Sequence, residues 1–126
     1  MQKTIINTSN APAPIGPYSQ AVRTGNLVFV SGQIAINPAN GQIEASDTAA
    51  ETRQVMENLS AVLKEAGLGF EHVVKTSIFL SDMSLFTTVN EVYGTYFNSD
   101  FPARETVAVK GLPKNVNVEI SVVAAG

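Results

Sequence analysis

The sequence predicts an α+β domain: a mixed β-sheet with two helices packed on one of its faces. Three observations lead there. Apolar residues recur at helical spacing in two separate stretches, 48–66 and 84–97. In the last stretch, 116–124, the apolar residues Val116, Val118, Ile120, Val122 and Ala124 alternate with Asn117, Glu119 and Ser121, the period of a half-buried strand. The elements then run β-β-β-α-β-α-β-β, an order that lays both helices on one side of a single sheet. A chain of 126 residues makes one domain, spanning 1–126. Folding at that size buries about two-thirds of the unfolded surface, enough for a true core.

The first strand is expected at residues 3–6. A proline-rich loop follows, Ala11-Pro12-Ala13-Pro14-Ile15-Gly16-Pro17, stiff and extended because proline fixes its own φ and restrains the residue before it. Residues 18–24 and 27–30, joined by Gly25-Asn26, read as a β-hairpin. Asn37-Pro38-Ala39-Asn40-Gly41 is a turn. The first helix carries Thr52, Val55, Met56, Leu59, Val62, Leu63 and Ala66 on one stripe. Asp47 or Thr48 caps its start, Thr48 with Glu51 fits a capping box, and Gly67 stops it.

Residues 72–80 form the next strand, with Val74, Thr76, Ile78 and Leu80 toward the helices and Lys75 and Ser77 away. The second helix shows Leu85, Val89, Val92 and Tyr96 at helical spacing, capped by Ser81 or Asp82. Strands at 104–109 and 116–124 close the domain. Arg104, Thr106 and Ala108 share one face of their strand, and Val107 and Val109 share the other. Glu119 points away from the helix-covered core. The sheet face opposite the helices is therefore expected to be semi-apolar, to carry the polar groups of a site, and to need a cover.

Composition narrows the function. Apolar residues make up 44% of the chain and charged residues only 15%, which suggests a buried subunit interface. The net charge is −3 and the basic residues are scattered, so no stripe exists for a phosphate backbone and no nucleic-acid partner is expected. Cysteine is absent, which removes disulfides and thiolate chemistry. His72, the single histidine, cannot form a histidine metal cluster. No apolar run reaches the length of a membrane span and the start lacks the apolar core of a secretion signal, so a cytoplasmic protein without a membrane partner is expected.

Two residues stand out chemically. Arg104 follows Pro102-Ala103, and fifteen residues later Glu119 interrupts the apolar run of the last strand. An isolated ionised side chain is costly to bury. As a pair they suggest a small site with one fixed cation and one group able to handle protons. The planar fork of arginine suits a two-point grip on a carboxylate, so a small carboxylate-bearing ligand is the first reading. A structural reading stands beside it, in which Arg104 is paired with Glu105, Glu119 or a partner chain.

The chain resembles the RidA/YjgF family of reactive-intermediate (enamine/imine) deaminases in four ordered motifs. These are Ala13-Pro14-Ile15-Gly16-Pro17-Tyr18-Ser19-Gln20-Ala21, then Val28-Phe29-Val30-Ser31-Gly32-Gln33, then Phe86-Thr87-Thr88-Val89-Asn90-Glu91-Val92-Tyr93. The last runs from Pro102-Ala103-Arg104 through Leu112-Pro113-Lys114 to Val118-Glu119-Ile120. The resemblance implies a chorismate-mutase-like fold, a homotrimer with clefts between subunits, and hydrolysis of 2-iminobutanoate and 2-iminopropanoate to 2-oxo acids and ammonia without metal or cofactor.

It also implies roles. Arg104 holds the substrate carboxylate, Glu119 activates water or manages protons on the imine nitrogen, and Tyr18 closes the cleft. Ser31-Gly32 lets the main chain approach the ligand, Asn90 supplies an amide hydrogen bond, and Thr106 contributes chiefly its main-chain groups. Glu105 departs from the family pattern, where a small residue is commoner after the arginine. Alternative functions are a non-catalytic sensor of 2-oxo acids, an endoribonuclease or translation inhibitor, and a holdase-like chaperone. The acidic balance counts against the nuclease.

Overall fold

A computed structural model describes residues 2–126. Its strands are β1 (Thr4–Ile6), β2 (Ala21–Thr24), β3 (Leu27–Gln33), β4 (Ile36–Asn37), β5 (Gln42–Ile43), β6 (Val73–Leu80), β7 (Ala103–Ala108) and β8 (Val118–Ala125). Its α-helices are α1 (Thr48–Glu65) and α2 (Phe86–Gly94). Six strands form one mixed sheet in the order β1-β2-β3-β8-β6-β7, and both helices cover one face. β4 and β5 add a two-stranded hairpin around the expected turn at 37–41.

The last strand lies in the middle of the sheet. β8 pairs antiparallel with β3 on one side and with β6 on the other. Its inward residues Val118, Ile120, Val122 and Ala124 are buried against α1, where Val55, Met56, Leu59, Val62 and Leu63 are fully enclosed. β7 is parallel to β6, a pairing that needs a crossover connection, and α2 supplies it. Among the described residues no helix is long and apolar enough to cross a membrane.

α1 starts at Asp47, whose side chain accepts from the amide of Ala50 at 2.8 Å. It ends in a Schellman-type closure. Gly67 takes a φ of 78°, its amide bonds Lys64 O at 2.9 Å, and the amide of Leu68 bonds Leu63 O at 2.9 Å. The expected capping box does not form. Glu51 is buried and its carboxylate leaves the helix for β8, because the amides there have greater need of an acceptor.

Two further expectations are corrected. Val74 is exposed rather than turned to the helices, since the register of β6 against β8 shifts between Val73 and Lys75 and Val73 takes the inward place. The second helix is shorter than 84–97: Asp82 caps a 3-10 turn at Met83–Leu85, α2 follows, and the chain leaves helical geometry after Gly94. Its Tyr96 and Phe97 instead pack edge-on around Phe70.

Asn58 fastens α1 to the segment after β3. Its side-chain amide donates to Ile34 O at 3.0 Å and Ile36 O at 2.9 Å and accepts from Gln54 at 2.9 Å. Asn58→Ala should cost about 1–3 kcal/mol by stranding two carbonyls in the interior, read as a lowered midpoint of urea unfolding.

Candidate functional site

The expected site residues fall into two groups, and the pleat separates them. In the parallel register of β6 and β7, Arg104 lies beside Thr76 and Thr106 beside Ile78. Thr76 and Ile78 are buried on the helix side, so Arg104 and Thr106 point there as well. Glu119 pairs with Phe79, between the inward residues Ile78 and Leu80, and points to the opposite face. One chain therefore does not bring Arg104 and Glu119 together. The expectation that the open sheet face carries all the polar groups holds for Glu119 and fails for Arg104 and Thr106.

The first group is built by β7 and α2. Arg104 Nη1 donates to Asn90 Oδ1 at 2.8 Å. Its guanidinium carbon lies 5.1 Å from the ring centre of Tyr93 and 5.8 Å from that of Phe86, within cation–π range. Phe86, Asn90 and Tyr93 succeed one another at spacings of four and three, so one helix face presents all three to the arginine. Below them Tyr93 donates its hydroxyl to Thr76 Oγ1 at 2.9 Å, and burial pushes the Tyr93 phenol up. Among the described residues no carboxylate pairs with Arg104. Thr106 Oγ1, close by on the same strand face, is buried without a hydrogen-bond partner.

The alternative partners of Arg104 are spent elsewhere. Glu105 lies on the other face, where Ser77 donates to it and Lys75 approaches at 2.9 Å. Those hydrogen bonds, from Ser77 first and Lys75 second, hold its carboxyl below the usual range. The departure at position 105 is thus a surface pair that leaves the arginine untouched.

The second group surrounds Glu119 on β8 and the irregular end of β3. The β3–β8 register shifts between Val30 and Gln33, and Gly32 lies in that shift. A Cβ on Gly32 would come within 2.8 Å of Glu119 Cδ and 2.9 Å of Oε2, so the absent side chain is what admits the carboxylate. Burial raises the Glu119 carboxyl above the ordinary value. Ser31 is turned to the proline-rich loop, its hydroxyl donating to Ser19 O at 2.6 Å and its amide to Gln20 O at 2.9 Å. Tyr18 follows that loop, ahead of β2, which starts at Ala21 rather than at 18; it is half exposed, accepts from the amide of Ile15 at 3.2 Å, and lines a small cavity together with Gly32.

Sequence reasoning quoted Gln20, Phe86 and Tyr93 within motifs without giving them a site role, and read Glu51 only as part of a helix cap. Gln20 is buried and stitches the loop to β2, donating to Thr8 O, Ala11 O and Pro12 O and accepting from the amide of Thr8. Phe86 and Tyr93 lie at helical spacing from Asn90, the signal that would have found them.

A family model described as endoribonuclease L-PSP matches residues 8–126. A RutC family protein of Pyrococcus horikoshii is 48% identical over 122 residues, 97% of each chain. A human protein named 2-iminobutanoate/2-iminopropanoate deaminase is 45% identical, covering 97% of this chain and 89% of its own. The crystal structure of Escherichia coli TdcF with bound serine superposes with a TM-score of 0.93 at 40% identity, over 98% of each chain. With a family match across nearly its whole length and these relatives beside it, the chain belongs to the RidA/YjgF family.

Proposed function

We propose that this protein hydrolyses small 2-imino acids, 2-iminobutanoate and 2-iminopropanoate, to 2-oxo acids and ammonia, and that it does so as a homotrimer. The observation that carries the reading is the division of the site: an arginine held ready without a carboxylate, on the face opposite a half-buried glutamate. Two copies, one offering each half, would complete a cleft that one chain leaves open. Exposed apolar residues on the open sheet face support the assembly. Phe29 is 46% exposed and Val107 42% exposed on the open sheet face, a surface that association would bury. The deaminase relative supports the activity, and the serine-bound relative shows that a family member holds a molecule bearing a carboxylate.

The chemistry needs positioning and one proton carrier. Arg104 grips the substrate carboxylate through its two-pronged edge, steadied by Asn90 and by the rings of Phe86 and Tyr93. Thr106, with its unpartnered hydroxyl and adjacent main chain, meets the other side of the ligand. Glu119 of a second copy takes a proton from water as the oxygen adds to the carbon of the protonated imine. It returns that proton to the nitrogen, the carbon–nitrogen bond breaks, ammonia leaves, and the hydroxyl proton is lost as the carbonyl forms. Gly32 gives the substrate and Glu119 room, and Tyr18 covers the cleft.

The test is an assay in which a threonine dehydratase generates 2-iminobutanoate and semicarbazide competes for it. Wild type should accelerate release of the 2-oxo acid; ligand binding without acceleration would leave a sensor instead. Arg104→Lys, which loses the second prong, should lower kcat/KM by about 10- to 100-fold, equivalent to one charge-assisted hydrogen bond of about 1.5–3 kcal/mol. Gly32→Ala should fold, because the end of Glu119 can swing away, but should lower kcat by at least about 10-fold through that displacement.

The acid limb of the pH–rate profile should report Glu119. As a base it works ionised, and its raised pKa moves the loss of activity to higher pH than an ordinary carboxylate gives. The sign for stability is opposite. Between the ordinary and the raised value the folded state binds the extra proton, so raising pH through that window weakens the fold, and Glu119→Gln should remove this dependence.

A further inference from the structure

We propose that Glu51, on the first turn of α1, is a positioning residue that sets the place of Glu119 by holding the start of β8. Glu51 is only 6% exposed. Its Oε2 accepts from the amides of Asn117 at 2.8 Å and Val118 at 3.0 Å, and its Oε1 accepts from Asn117 Nδ2 at 3.1 Å. These bonds span 66 and 67 residues of chain and end one residue short of Glu119.

The need for the carboxylate follows from the sheet. The last pair between β3 and β8 is Gln33 with Ile120, so the amide of Val118 lies beyond the end of that ladder. Glu51 supplies the acceptor that a longer β3 would have given. From the β6 side Ser81 grips the same segment, its amide donating to Asn117 O at 3.0 Å and its hydroxyl to Asn117 Oδ1 at 2.8 Å. Asn117 is thus clamped between Glu51 and Ser81. The Glu119 side chain has no hydrogen-bond partner of its own among the described residues and rests on Gly32. Its aim comes from its backbone, and Glu51 fixes that backbone.

The claim rests on the imine-hydrolase reading for its kinetic consequence, and the experiment separates the two. Glu51→Ala, Glu51→Gln and Asn58→Ala are compared with wild type in the coupled assay, at a temperature where circular dichroism shows each folded. Asn58→Ala weakens the same helix through a side chain whose hydrogen bonds run to Ile34, Ile36 and Gln54 and not to β8. Glu51→Ala should lower kcat by about 10- to 100-fold with KM within about twofold, since a small misplacement of the proton carrier harms turnover and leaves the arginine grip alone. Glu51→Gln keeps an oxygen for both amides and should recover kcat to within about threefold of wild type. Asn58→Ala should keep wild-type kcat.

An unchanged kcat in Glu51→Ala overturns the proposal, as does an equal loss in Asn58→Ala, which would reduce Glu51 to a stability residue. Should Glu51→Ala not fold, Glu51→Asp replaces it: the shorter side chain should lower kcat, and wild-type kcat there overturns the claim. If wild type itself fails to hydrolyse the imine, the functional reading falls and carbon-13 titration of Glu119 decides the positioning. Its carboxyl should move toward the ordinary value in Glu51→Ala and stay raised in Asn58→Ala; no movement in Glu51→Ala overturns the claim. The charged side chains that share its sheet face, Lys75 and Glu105, pair with each other, and none of these substitutions alters either.

Discussion

Everything in this molecule hangs on the two-sided pairing of β8. A strand bonded on both edges cannot slip by one residue without turning its whole apolar set outward. Here the inward set is Val118, Ile120, Val122 and Ala124, each buried beneath α1. A slip would drive Glu119 into that core as an unpaired carboxylate, a change far costlier than losing one apolar contact. The burial that stabilises the fold therefore also determines which way Glu119 points. The sheet carries the candidate site residue as a by-product of its own register.

The acidic groups are distributed with equal economy. Glu51 is spent on the amides at the head of β8, Glu105 on Lys75 and Ser77, and Glu57 on the hydroxyl of Tyr96. Arg104 meets instead an amide oxygen and two ring faces, which orient a guanidinium without neutralising it. An internal carboxylate would have satisfied the charge and closed the position to any ligand. The neutral surroundings leave the cation available, and with most of its donors free it suits a planar, doubly accepting anion better than a lysine would.

Periodicity made the helices and the central strand legible in the sequence, because deep burial on one side leaves a strong imprint there. β7 left no such imprint. It is an edge strand with no fully buried residue, and the apolar Val107, with Val109 just past its end, hinted at the wrong inner face. Only the parallel register with β6 reveals that Arg104 and Thr106 face the helices. The bulge that exposes Val74 was equally silent, since one extra residue changes a strand's facing without altering its composition. Glu51 was legible as a helix-start residue but not as a partner for residues 66 positions away. Long-range acceptors carry no local signature.

Arg104 and Glu119 were noticed as a pair because both were out of place, and the fold gives that pairing a different meaning. They are halves that one sheet holds apart, back to front. On the proposed assembly, association would bury the exposed apolar residues Phe29 and Val107 and bring the two halves together in the same step. Binding and proton transfer then belong to different elements of different copies: α2 and β7 hold the carboxylate, while β8 and the bulged end of β3 aim the base. A defect on the arginine side weakens grip and a defect on the glutamate side weakens turnover, with the core of each copy standing between them. In the proposed assembly, that separation would let a buried carboxylate on α1 govern turnover and leave the grip alone.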